Sequence, residues 1–457
     1  MLTLTPAQNK YLPYVLAVAL FMQILDATIL NTALPQMALA LDESPLKMQW
    51  AVISYALTLA IFIPISGFLA DKYGTRRVFL CYCDILHRLT AVRDGLYFKF
   101  LVASRVIQGI GGAMMTPVGR LILVKSYPRN QLLTVMNFAV IPALVAPLVG
   151  PLLGGYLVQY ASWHWIFLIN IPMGVVGFVI GKKLIPALFG DKQSLDWVGF
   201  GLFALGACAL TLAVEMGSKV GHGYNALLLA AASIGFLLAY VWHAKRHVAP
   251  LFSLTLFNVP TFRIGITGNL STRIGISAVP FLLPLLLQVV FEYTPSQAGW
   301  LLAPIAVGAL GIKPFVSKII QRYSYRVVLV YNTLILGLLI IVLGQFSDAA
   351  QWPWMIPVLI VIGVCNSIQF SAMNTITIGD LQGAQTSSGN SLMAVNQQMA
   401  IGLGIAFGAA LLNLLRDRFQ VDTLLAFQVT YWILGGFTIL SGLGFLRLKP
   451  EDGRGLY

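Results

Sequence analysis

The chain is 457 residues long, 58% of them apolar and only 10% charged, with a formal net charge of +13. Soluble domains carry about 25% charged residues, so a water-covered globule is excluded, and apolar runs of helix-spanning length from end to end give one polytopic, all-α membrane domain. The positive charge lies in short clusters between those runs, which marks membrane topology and excludes a nucleic-acid surface.

Fourteen windows of about twenty residues read as transmembrane helices. They lie near 13–36, 49–70, 78–98, 101–123, 132–158, 164–182, 197–216, 225–243, 262–290, 296–313, 327–346, 355–378, 389–415 and 425–446. The first is too long for a signal peptide, contains Asp26 and has no small-residue cleavage site after it, so it reads as an uncleaved helix. With the N-terminus inside, the loops at 71–77, 124–131, 183–196, 244–261, 314–326 and 379–388 are cytoplasmic and hold most of the Lys and Arg residues. Lys47, Lys219, Arg416 and Arg418 are the main exceptions. The positive-inside rule then places both ends in the cytoplasm. Cys81, Cys83, Cys208 and Cys365 show no metal-binding spacing and read as buried free thiols.

The third window breaks the pattern. Between 83 and 99 it carries Asp84, His87, Arg88, Arg93, Asp94 and Lys99, each charge costing about 2.5–3.5 kcal/mol near a helix centre. Removing this span would turn every later basic loop outward. It is therefore retained, either as a natural amphipathic segment or as one altered by two compensating frame slips.

Taken along the chain, the polar residues inside spans are few. Asp26 is the clearest buried acid, and desolvation favours the protonated form of such a carboxyl, so it can load and release a proton. Gln23 lies on the same face and Asn31 more than a turn later. Arg105 is costly in a membrane and must face a cavity or a partner; Gln108 shares its face. Close pairing with Arg105 would keep Asp26 ionised, whereas separation would free it to exchange protons. In the second half Asn269, Arg273 and Gln288 mark the ninth span, Asn366 and Gln369 the twelfth, and Asn396 the thirteenth. Each can line a central cavity or bond across helices. Glu215 and Glu292 read as solvated span ends, and Trp163, Trp165, Trp352 and Trp354 as an outer aromatic belt.

An internal repeat supports two halves. DKYGTRRVFL at 71–80 resembles QRYSYRVVLV at 321–330, with Lys72/Arg322, Tyr73/Tyr323 and Arg76/Arg326 in register. The expected division is 1–182 for an N-terminal six-helix half, 183–261 for a linker with two extra helices, and 262–457 for a C-terminal six-helix half.

Four motifs carry a family resemblance. GFLADKYGTRR at 67–77 resembles the loop signature between the second and third helices of the major facilitator superfamily. RVIQGIGGAMM from Arg105 resembles its fourth-helix motif, APLVGPLLGG at 146–155 the fifth-helix motif of its antiporters, and LDATILNTALP at 25–35 the first-helix motif of its fourteen-helix drug:proton antiporter branch. SWHWIFLINIP from Ser162 and SSGNSL from Ser387 resemble an enterobacterial subgroup of that branch. The resemblance covers nearly the whole chain. It implies two six-helix bundles plus two central helices, with alternating access about a midplane cavity.

Residue roles follow from the same resemblance. Asp26 and Arg105 would couple protons; Gly67, Asp71, Gly74, Arg76 and Arg77 would form a cytoplasmic latch, Asp71 meeting the helix start near Ser387, Ser388, Gly389 and Asn390; and Gly150, Pro151, Gly154 and Gly155 would act as gasket and hinge. The implied activity is proton-driven export of drugs or other amphipathic small molecules across the cell inner membrane by a single chain. No cofactor, metal or nucleic acid is expected.

The competing functions are weaker. H-E-x-x-H, G-x-S-x-G and Walker motifs are missing from the sequence, which argues against a membrane hydrolase or ATPase. A transporter-derived sensor or scaffold would usually append a regulatory domain. Uptake symport or facilitated passage of a small organic solute is opposed by the 150–155 motif. The substrate itself is not legible, because cavity shape and many weak contacts set selectivity.

Overall fold

A computed structural model describes residues 5–81, 98–127, 129–189, 194–219, 221–382 and 384–453, and all regular structure among them is helical. Eleven runs are long and apolar enough to cross a membrane. One of them, Pro295–Leu343, takes in both the tenth and eleventh expected spans, and the helix Arg129–Tyr160 covers the fifth. Every expected span except the third therefore coincides with a described helix. The segment 83–99, with its suspected frame slips, lies almost wholly outside the described residues.

Several helix ends differ from the expected windows for local reasons. The first helix, Pro6–Ile29, starts earlier because Thr5 and Gln8 form a reciprocal cap, and it passes through a short 3-10 turn into Leu34–Ala40. The sixth span is broken at Ile169 into Trp165–Leu168 and Asn170–Leu184. The thirteenth begins at Ala384, so 387–390 lie inside the helix and not at its first residue.

The chain divides into two compact units: 1–195 with 294–300, and 196–293 with 301–457. In the first unit the helices Pro6–Ile29 and Arg129–Tyr160 pack together most extensively, and Gln49–Tyr73 packs on Phe98–Ser126. Its core includes Leu12, Leu16, Phe79, Val118 and Ile122, all buried. In the second unit Val316–Leu343 packs on Thr423–Ser441, and Pro260–Ser277 on Ala384–Asn413. Tyr325, Leu329, Met373, Ile376 and Phe445 are central to its core.

The helices Trp197–Gly217 and Gly223–Ala244 pack on each other in the second unit. Only 11% of the apolar window in Gly223–Ala244 is buried within the protein. Tyr224, Leu227, Ile234 and Leu238 are each at least 60% exposed. A continuous apolar face of this kind is stable against lipid tails and would aggregate in water. Of the four expected belt tryptophans, Trp165, Trp352 and Trp354 are exposed, whereas Trp163 is half-buried and stacked on His164.

Two expectations fail at side-chain level. Glu215 is buried, not solvated, and Lys219 one turn later approaches its carboxylate to 3.1 Å. Cys81 is exposed, whereas Cys365 is buried and Cys208 half-buried; these three are free thiols, and Cys83 lies outside the described residues.

Candidate functional site

The polar centre of the first unit is built on four helices, one of them Gln49–Tyr73, which supplies Ala51 and Tyr55. Asp26 comes from Pro6–Ile29, Arg105 and Gln108 from Phe98–Ser126, and Asn170 from the break in the sixth span. Arg105 Nη1 donates to Asp26 Oδ2 at 2.8 Å and to Gln108 Oε1 at 2.9 Å. Its Nε donates to the Ala51 carbonyl at 3.0 Å, and the guanidinium lies 4.2 Å from the Tyr55 ring centre. Asn170 Nδ2 donates to the other Asp26 oxygen at 2.8 Å. The two charged side chains are 1% and 4% exposed, so the pair is sealed from solvent.

This arrangement decides between the two sequence alternatives for Asp26: it is paired with Arg105, not separated from it. The guanidinium neutralises the carboxylate, which is the alternative that opposes free proton exchange at Asp26 in this conformation. Arg105 Nη2 is buried without an acceptor among the described residues. Asn170 escaped the sequence reading. Its signal was an amide inside the otherwise apolar WIFLINIP run.

The other candidates of this half lie apart from the pair. Gln23 Oε1 accepts from Thr116 Oγ1 at 2.8 Å, a bond between two spans. Asn31 is buried in the 3-10 turn, and its Oδ1 has no donor among the described residues. An apolar cavity of about 300 Å³ between the first helix and Asn170–Leu184 is lined by Val18, Met22, Met115, Met173 and Ile180. Tyr11 and Tyr14 are its only polar-tipped side chains, so it suits a lipid tail better than an oriented solute.

The glycines of 150–155 work as close-packing surfaces. A Cβ on Gly150 would lie 2.2 Å from Thr28 Oγ1, and one on Gly154 would lie 2.3 Å from the Ile29 carbonyl. Thr32 Oγ1 donates across the same seam to the Pro151 carbonyl at 3.3 Å. On Gly155 a Cβ would lie 2.3 Å from the Pro295 carbonyl.

In the loop signature Gly67 lies within the helix Gln49–Tyr73, and Asp71 and Lys72 lie in its last turn. Gly74 ends it at φ 87°, ψ 140°, a region open almost only to glycine. The chain is then tied to the end of the sixth span. Thr75 Oγ1 donates to the Pro186 carbonyl at 2.8 Å, the Thr75 amide donates to the Leu188 carbonyl at 3.0 Å, and Arg76 Nε donates to the Ile185 carbonyl. Arg77 is exposed.

The second unit disperses its candidates. Gln369 Oε1 accepts from Asn332 at 2.7 Å, and its Nε2 donates to Thr333 Oγ1 at 2.7 Å; both bonds run between buried groups. Asn396 donates to the Ile266 carbonyl at 3.0 Å. All three are interhelical bonds. Asn269 Oδ1 accepts from Arg273 Nε at 2.7 Å. Asn366 is partly exposed on Trp352–Gly379, and Gln288 lies in a π-helical turn.

Among the described residues, one group could hold a metal ion. Asp196, His243 and His247 place a ligand atom each within 4.8 Å of the others. The carboxylate is already engaged: it caps Trp197–Gly217 through Gly199 N at 2.8 Å, accepts from Leu251 N at 3.1 Å, and meets His243 Nε2 at 2.7 Å. Burial pushes this carboxyl up, but the bonds from Gly199, His243 and Leu251 outweigh it and hold it below the usual carboxylate range.

The sequence matches the pattern of the Major Facilitator Superfamily over residues 16–398 and again over 265–456. It is 41% identical over 454 residues to "Putative multidrug resistance protein MdtD" of Pectobacterium atrosepticum, covering 98% of this chain and 97% of that one. A protein of the same name from Salmonella typhimurium is 42% identical over 460 residues, covering 99% and 97%. Among solved structures, the D-xylose-proton symporter aligns over 96% of this chain and 98% of its own, with a TM-score of 0.70 at 12% identity. A bacterial homologue of the lysosomal transporter Spinster aligns over 98% and 100%, with a TM-score of 0.65 at 15% identity. At such identities these two speak for the fold alone.

Proposed function

Since the chain belongs to the Major Facilitator Superfamily, whose members are membrane transporters and not enzymes, we propose that it is a proton-coupled antiporter exporting drugs or other amphipathic small molecules by alternating access. The observation that carries this reading is the buried Asp26–Arg105 pair with Asn170 on its second oxygen; closed as it is, it opposes free proton exchange at Asp26, so coupling requires a second conformation in which the two side chains part. A buried ion pair is weak as a stabilising device. It is well suited to a switch, because protonation of Asp26 frees Arg105 and deprotonation draws it back. The close-packed seam of Gly150 and Gly154 against the first helix gives that switch a rigid lever. The names of the relatives support multidrug export.

In this reading protons enter Asp26 from outside and leave to the cytoplasm as cargo moves outward. Both termini are cytoplasmic, the protein sits in the cell inner membrane and works as a monomer, and Asp71 with its loop latches the cytoplasmic side. The division at 182 and 261 separates two six-helix halves from an added central pair.

The test is substrate-induced proton release in everted vesicles from a pump-deficient strain, screened with lipophilic cations, neutral drugs and organic anions. Asp26→Asn should abolish the exchange. Full exchange in that variant would remove Asp26 from the coupling. A C-terminal fusion to a reporter active only outside the cytoplasm should be silent.

A further inference from the structure

The second unit holds two cations that its own carboxylates do not answer. Arg273 lies about midway along the run Pro260–Val290, and Lys313 opens the turn that ends Pro295–Ile312. Both converge on Phe370. The Arg273 guanidinium lies 4.9 Å from the ring centre and the Lys313 ammonium 5.8 Å from it. Neither has a carboxylate within ion-pair distance among the described residues.

Their donors are only partly used. Arg273 spends Nε on Asn269 at 2.7 Å, and its two terminal nitrogens have no acceptor among the described residues. Lys313 donates once, to Ser371 Oγ at 2.9 Å, and keeps two further N–H groups. The Phe370 ring is 40% exposed, and both cations are partly exposed. Positive charge without compensation is costly against hydrocarbon, which favours water or cargo against this surface. Asn366 and Asn374 stand four residues either side of Phe370 on one helix face, and Asn374 Oδ1 accepts from Gln397 at 2.7 Å.

A free guanidinium fork, a nearby ammonium and an exposed aromatic face recognise one chemistry. The fork accepts a carboxylate, sulfonate or phosphate through paired charge-assisted bonds. The ring supports an apolar or aromatic body. A lipophilic cation placed here would meet two like charges and, among the described residues, no carboxylate paired with either of them.

We propose that Arg273, Lys313 and Phe370 form the binding site for an organic anion with an apolar or aromatic body, and that such anions are a class of cargo. The cargo assignment rests on the export reading; the binding site does not.

The experiment uses purified full-length protein in detergent, with no gradient, and ring-matched probes of opposite charge. Benzoate is compared with benzylammonium, naphthalene sulfonate with naphthylmethylammonium, and fluorescein with rhodamine 6G at a fixed, mildly alkaline pH. The anionic member of each pair should raise the melting temperature more, and fluorescein should bind by fluorescence anisotropy. Arg273→Gln with Lys313→Gln should weaken fluorescein by about tenfold or more. Arg273→Lys keeps the charge but loses the fork, so it should fall between, and its normal elution as a single species controls for misfolding.

Cationic members that bind as well as the anions would overturn the proposal, as would fluorescein affinity unchanged in the double variant. Failure of every anion to bind would overturn it too. Because binding is read without transport, any of these leaves the antiport reading standing. Intact anion binding without proton exchange would strike that reading alone.

Discussion

Arg105 and Arg273 are both guanidiniums inside membrane-spanning helices, and each lies over an aromatic ring, Tyr55 at 4.2 Å and Phe370 at 4.9 Å. Arg105 is sealed and neutralised by Asp26, and the Asn170 amide satisfies the carboxylate's remaining oxygen. Arg273 is partly exposed, bonded to a neutral amide and accompanied by Lys313 instead of an acid. The first unit thus contains both halves of its charge pair, while the second contains one half and exposes it. A self-contained pair suits a small ion that reaches it alone, and an open cation suits a solute that brings its own negative charge.

The largest effect expected from breaking this contrast is at Asp26. Asp26→Asn leaves a buried guanidinium without its counter-charge, which costs about 3–5 kcal/mol. Thermal unfolding in detergent should show this as a marked loss. Adding Arg105→Gln should recover much of the stability while exchange stays absent, and a single variant as stable as the parent would mean the pair is not closed. Arg273→Gln, with no acid to strand, should leave the melting temperature near the parent value.

A seam in the first unit comes next. Gly154→Ala puts a methyl 2.3 Å from the Ile29 carbonyl, an overpacking that typically costs about 1–3 kcal/mol. Gly436→Ala, in the second unit with open space around its Cβ, should be neutral in the same melting assay. Equal behaviour would show that the 150–155 seam is loose.

The internal repeat offers a sharper comparison. Gly74 has φ 87°, ψ 140°, and its repeat partner Ser324 has φ 69°, ψ 157°. The two loops share one backbone shape, but only one has the residue that adopts it freely. Holding a non-glycine residue there costs about 1–3 kcal/mol. Gly74→Ala should therefore destabilise and Ser324→Gly stabilise, each by that order. Opposite signs in denaturation midpoints would confirm the shared shape, and equal signs would contradict it.

The smallest effect concerns the cap of the added helix pair. The folded Asp196 carboxyl is held below its unfolded range. Its contribution is complete above the unfolded value, about 3.9, and fades as pH falls through the lower folded value. Hydrogen exchange at Gly199 and Leu251 should stay slow down to that region and accelerate below it. Asp196→Asn should remove this pH dependence.

Much of this architecture was legible because membrane spans follow from apolar length alone. Twenty-residue windows and basic loops locate helices without any knowledge of packing. The register of Gly74 with Ser324 came from the repeat, but its backbone consequence did not, since serine gives no sign of a positive φ. Asp26 and Arg105 stood out because charge inside a span is costly. Their contact was hidden, because residues 79 positions apart meet only through helix packing. Asn170 was missed for the same reason, and Glu215 was misjudged because a span-end acid can be buried while pairing with a lysine one turn later. Lys313, at the last position of the tenth window, was not singled out from the sequence, and only the fold brings it to Phe370.

Proton-coupled export is tested most directly by reversing the gradient in proteoliposomes. With the lumen acidic, an antiporter accumulates external cargo as protons leave; a symporter accumulates it only when the outside is acidic. Fluorescein and rhodamine 6G, each quantified after filtration and solubilisation, serve as the two cargo charges. The account predicts accumulation of fluorescein driven by an acidic lumen, abolished in the Asp26→Asn/Arg105→Gln variant. Accumulation driven by an acidic exterior, or by neither gradient, would contradict it.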